Sequence, residues 1–80
     1  MTPEIVGVFQ GKHPDGDYCI ATSDEIKGSI TFEENEFDGE LPESGTTIVM
    51  GRLTQKRLGW RAGSARVYTI EDERRLHDKI

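Results

Sequence analysis

Gly28-Ser29-Ile30-Thr31-Phe32, a long acidic stretch from Glu33 to Gly45, and then Thr46-Thr47-Ile48-Val49-Met50-Gly51-Arg52-Leu53 make up the segment that decides the fold. In the first part Ile30 and Phe32 point one way and Ser29 and Thr31 the other, the period of a half-buried strand. The last part is the clearest strand in the chain, β-branched and apolar over most of its length. The stretch between them is rich in Gly, Pro and Asn and too polar to pack well, apart from Phe37 and Leu41, which are placed to pin it to a core. Two strands joined by so long a connection point to a Greek-key return.

Working outward, Ile5-Val6-Gly7-Val8-Phe9 and Tyr18-Cys19-Ile20-Ala21-Thr22 read as strands on either side of a Gly11–Asp17 turn. Its Pro14-Asp15-Gly16 supplies the dihedrals of a reversal. Residues 5–22 are therefore a hairpin, and Ser23–Lys27 is a polar turn. Beyond Leu53, Thr54–Gly59 is a basic turn and Ala65–Ile70 a fifth strand. The tail from Glu71 to Ile80 is helix-prone. Its start falls at Thr69 or Ile70, and Glu71, Asp72 and Glu73 sit in the first turn, where negative charge is favoured. Leu76 and Ile80 are spaced to dock the helix, and Glu71 with Arg75 has ion-pair spacing. The expected fold is all-β: a small five-stranded antiparallel barrel of OB type over residues 1–70, followed by a short C-terminal helix over 71–80. An SH3-like barrel is the alternative.

Eighty residues make one small domain. With 34% apolar and 31% charged residues the core must be thin, which suits a sheet that buries one face of every strand. The single Cys19 excludes an intramolecular disulfide and a cysteine-based metal site. Without an apolar run long enough to span a bilayer or a signal peptide, the chain reads as cytoplasmic. Met1 and the ionic tail read as the ends of a complete small protein.

Charge is sorted along the chain. Residues 1–43 hold Glu4, Asp15, Asp17, Asp24, Glu25, Glu33, Glu34, Glu36, Asp38, Glu40 and Glu43 against Lys12 and Lys27, a net of −9. Residues 44–70 hold no acid but Arg52, Lys56, Arg57, Arg61 and Arg66, a net of +5. A basic sector of this kind offers an anion a local site although the whole chain is acidic. Trp60 lies among these cations, and Tyr18 is a second candidate for stacking. Cations beside aromatic faces are what a single nucleic-acid strand needs, because bases stack while phosphates meet Lys and Arg. The competing reading is that the bases offset the acids while Trp60 caps the core.

Chemistry of other kinds finds little support. The crowded acids of the long connection lack the spacing of a calcium loop. His13 and His77 have no nucleophile in a recognisable setting, Cys19 reads as a buried small hydrophobe, and no Gly-rich phosphate loop occurs. The expectation is a non-enzymatic protein without cofactor or metal.

The order of features resembles the cold-shock domain over residues 5–70. Gly16-Asp17-Tyr18-Cys19-Ile20 is similar to the family's first aromatic-glycine motif, and Gly28-Ser29-Ile30-Thr31-Phe32 to its second. Leu41, Gly45 and Ile48-Val49-Met50 match its Leu, Gly and apolar-strand pattern, and Gly59–Val67 its closing segment. The resemblance implies an OB barrel and binding of single-stranded RNA or DNA. Ser29 and Thr31 stand where the family has an exposed aromatic and a His, and of the first motif's aromatics only Tyr18 is retained. Binding would thus rest on Tyr18, Arg52, Lys56, Arg57, Trp60, Arg61 and Arg66, with RNA favoured over DNA. The alternative is a protein-interaction module, or a regulator, whose acids dock on a basic partner surface. A monomer or a weak dimer held by the opposed sectors is expected.

Overall fold

The computed structural model describes residues 4–14, 16–57 and 59–77, with side chains through Arg75. The elements are β1 (Ile5–Lys12), β2 (Tyr18–Ser23), β3 (Ile26–Glu33), a 3-10 turn (Glu34–Glu36), β4 (Thr47–Gly51), β5 (Thr54–Lys56), β6 (Gly59–Arg61), β7 (Ser64–Val67) and α1 (Ile70–His77). The strands form one mixed sheet in the order β5-β6-β3-β2-β1-β4-β7. The expected all-β character holds. The expected five-stranded antiparallel barrel does not: among the described residues there are seven strands, β3 and β6 run parallel, and no ladder joins the β5 edge to the β7 edge.

Two facing corners explain the difference. Gly51 lies opposite Ser64 in the β4–β7 pair and Thr54 opposite Arg61 in the β5–β6 pair, so one register runs through both. Residues 47–57 and 59–67 are the arms of a single long hairpin bent in its middle. One corner is Arg52, which takes a left-handed φ of 52°; the other is Ala62-Gly63. The Gly63 amide donates to the carbonyls of Gly51 at 3.0 Å and Arg52 at 3.2 Å. A Cβ on Gly63 would come within 2.9 Å of the Arg52 Cβ, so only glycine lets the corners approach this closely. The bend sends β4 to β1 and β6 to β3. Thr54-Gln55-Lys56, expected as a turn, becomes an edge strand exposed along its whole length.

Alternation places Ile5 and Phe9 of β1, Cys19 and Ala21 of β2, Ile30 and Phe32 of β3, and Ile48 and Met50 of β4 in one core with Leu53, Ala62 and Ala65. Phe37 enters it from the long connection. Its ring lies 6.5 Å from Phe9 and 6.0 Å from Phe32, which are 6.1 Å from one another. Burying each such ring contributes about 1.5–3 kcal/mol, a large share for so small a domain. Leu41 packs partly buried on the same cluster. Backbone bonds tie the connection down at both ends: Asp38 N donates to Ala65 O at 2.8 Å, and Gly45 N to Phe9 O at 2.7 Å.

Val49 is also buried but faces away from this core. Its register partners Val6 and Arg66 share that outer face, the one to which α1 is tied. Thr69 caps the helix. Asp72 N donates to Thr69 Oγ1 at 3.4 Å, and Thr69 N donates back to Asp72 Oδ2 at 2.8 Å, a capping box with Asp in the third helical position. Arg75 pairs with Asp72 and Glu4 rather than with the expected Glu71. The expected docking through Leu76 and Ile80 falls outside the described side chains. No helix among the described residues is long and apolar enough to cross a membrane.

Candidate nucleic-acid interface

Each of the seven sequence-derived contact residues has a distinct environment, and the bent hairpin separates them into groups. Arg66 sits on the outer face of β7 with both terminal nitrogens on the Asp72 carboxylate, at 2.6 and 2.5 Å. Glu4 lies a further 3.8 Å from the same guanidinium. Asp72 is only 4% exposed. The Arg66 hydrogen bonds hold its carboxyl far below the usual carboxylate range against the opposing effect of burial, and Thr69 helps. Arg66 is correspondingly raised by the same bond. A bidentate pair of this kind leaves Arg66 little capacity for a phosphate.

Arg61 is engaged as well. Its Nη2 lies 3.1 Å from Glu33 Oε1 and 3.1 Å from Glu36 Oε1. Glu36 also accepts from the Glu33 amide at 2.7 Å, so Arg61 fastens the start of the acidic connection to β6. Lys12 is matched in the same way by Glu34 at 3.1 Å, and that bond raises its pKa.

The aromatics are less available than their positions in sequence suggest. Trp60 lies opposite Ile30 across the parallel pair and packs, partly buried, against the core. The Tyr18 ring stacks on His13 with centroids 4.8 Å apart. Gly16 closes on its edge: a Cβ there would lie 2.6 Å from Cε1. Beside Tyr18 opens a groove of about 550 Å³ lined by Asp17, Glu33, Glu34, Asn35 and Arg61. Three carboxylates around one guanidinium make it unfavourable to phosphate.

Arg52, Lys56 and Arg57 are exposed and carry no salt bridge among the described residues. The sheet adds a residue that the sequence reading left out. Ile30 lies opposite Trp60 in the parallel β3–β6 pair, so Lys27 falls toward the same end of the sheet as Arg57. Ser29, Gly59 and Lys56 share the outer face, and Lys27 is exposed just before them, where the β2–β3 register shifts and Gly28 takes a left-handed φ of 97°. Lys27, Lys56 and Arg57 thus lie toward one end of the β5-β6-β3 part of the sheet, while Arg52 stands at the other end of β5. The parallel pairing that brings Lys27 here has no signature in linear sequence. The Thr69–Asp72 capping spacing, by contrast, was a legible hint that Asp72 is structurally committed.

No family model matches this chain, and no curated protein does. Among the described residues no group of three or more His, Cys, Asp or Glu side chains is arranged to hold a metal ion.

Proposed function

We propose that the protein is a non-enzymatic binding module that holds single-stranded nucleic acid on the β5-β6-β3 face. The observation that carries this reading is the separation of the cations. Carboxylates neutralise Arg61 and Arg66, whereas Lys27, Lys56, Arg57 and Arg52 are exposed and carry no salt bridge among the described residues. Unneutralised cations along a sheet edge attract a flexible polyanion chiefly through its phosphates. Stacking contributes less than in the cold-shock family, because Trp60 packs inward and Tyr18 lies against His13. RNA is favoured over DNA only by the family resemblance.

The test is a titration of labelled single-stranded RNA and DNA with the wild type and with a Lys56→Glu, Arg57→Glu variant. The proposal expects binding at low salt that the variant abolishes. Absence of binding by the wild type, or undiminished affinity in a folded variant, would overturn it.

The groove beside Tyr18 favours a second reading, in which Asp17, Glu33 and Glu34 receive a basic segment of a partner protein. A Lys- and Arg-rich peptide should then bind the wild type and lose affinity for an Asp17→Asn, Glu34→Gln variant; equal affinity for both would remove this reading.

A further inference from the structure

We infer that Arg52 is held in a strained corner so that its guanidinium forms the far end of the nucleic-acid site, an inference that rests on the reading just given. Arg52 is the one residue other than glycine with positive φ among the described residues. A left-handed turn is ordinarily given to Gly, or to Asn or Asp, because a larger side chain crowds the following carbonyl there. The corner itself asks for no arginine. Its hydrogen bonds run from Gly63 N to the carbonyls of Gly51 and Arg52, which any residue supplies. Nor does a carboxylate ask for one, since Arg52 carries no salt bridge among the described residues.

The side chain is nonetheless guided. The Arg52 Cβ and Cδ lie 2.9 and 3.3 Å from where a Cβ on Gly63 would be, so the carbon stem runs along the space that glycine leaves open. A stem laid against the backbone has less freedom to lose when its charged end meets a phosphate. Arg52 and Lys56 stand four residues apart around β5, on the order of 13 Å at the rise of an extended strand. A single strand following this edge would therefore meet the Lys27–Lys56–Arg57 group at one end and Arg52 at the other. Strain kept at an exposed position by a residue the backbone does not need is characteristic of a functional site.

Two variants separate charge from fold. Arg52→Gln keeps most of the stem and removes the charge; Arg52→Gly relieves the left-handed backbone. Both are expected to melt no lower than the wild type. Both should flatten the dependence of log affinity on log salt by about 0.7, the contribution of one phosphate contact on a single strand. An unchanged slope in Arg52→Gln would overturn the inference. So would an Arg52→Gly protein that melts several degrees lower, because the stem on Gly63 would then be supporting the fold. The Lys56→Glu, Arg57→Glu variant keeps the two failures apart. Loss of binding there with none in Arg52→Gln refutes the role of Arg52 alone, whereas a wild type that binds no oligonucleotide removes the underlying reading as well.

Discussion

Replacing Asp72 by Ala removes a carboxylate on which five donors converge: both terminal nitrogens of Arg66, the amide and hydroxyl of Thr69, and Nη2 of Arg75. Loss of the bonds from the Thr69 amide and hydroxyl costs about 1 kcal/mol. Loss of hydrogen bonds to a charged group costs about 1.5–3 kcal/mol where the partner is left buried. Here the second figure belongs at its lower end, because the Arg66 side chain is 32% exposed and water can replace part of what it loses. The sum is about 2–3 kcal/mol. For a domain of this size that corresponds to a melting point lower by roughly 10–20 °C. Thermal unfolding followed by far-ultraviolet circular dichroism at pH 7 measures it, and a fall smaller than about 4 °C would refute the reasoning. Acid gives the sign a second check. The folded pKa of Asp72 is depressed, so its stabilisation is complete above the unfolded value near 3.9 and is lost as pH falls through the folded one. The wild type and Asp72→Ala should therefore converge in stability in strong acid; a difference that stays constant from pH 7 downward would contradict the assignment.

Three further outcomes follow from the packing and the charge pairing. A Cβ at Gly7 would meet Thr22 O at 2.4 Å and Met50 Cε at 2.5 Å, so Gly7→Ala should lose about 1–3 kcal/mol in urea unfolding; an unaltered midpoint would mean that β1 and β2 have room to separate. Cys19 is fully buried and its pKa is raised by that burial, so a thiol reagent at pH 8 should label it only after unfolding; rapid labelling of the native protein would place it at the surface. Neutralising both partners of Arg61 in a Glu33→Gln, Glu36→Gln variant should release it to phosphate and steepen the salt dependence of binding by about 0.7. An unchanged slope would show that the two carboxylates are not what withholds Arg61.

The parts of the fold that were legible are those whose apolar residues alternate over one buried face. Phe9, Cys19, Ala21, Ile30, Phe32, Ile48 and Met50 mark β1 to β4 directly, and Phe37 and Leu41 stand out in an otherwise polar connection. The acidic first turn, Glu71 to Glu73, likewise announced α1. β5 was misread as a turn because Thr54, Gln55 and Lys56 are exposed on both faces, and an edge strand of that kind carries no apolar period. The corners at Arg52 and Gly63 were hidden for a different reason. An arginine in the left-handed region contradicts local preference, so only the tertiary contact between the two corners reveals the bend.

The candidate site was legible in composition but not in availability. An acid-free segment could be read off directly, yet the partners of Arg61 are 25 and more residues away in sequence, at Glu36 and Glu33. Arg66 finds Asp72 across a strand-to-helix junction, a spacing with no helical signature. Lys27 was overlooked because it lies in the acidic half and reaches the basic end of the sheet only through the parallel β3–β6 pairing.

The central claim, that four cations rather than the whole basic set meet the ligand, is tested most directly by the salt dependence of single-strand binding. Contacts by Lys27, Arg52, Lys56 and Arg57 alone predict that log affinity falls against log salt with a slope of about −2.8. Engagement of Arg61 and Arg66 as well would give about −4.2, and a slope near zero would mean that phosphate is not what this face recognises.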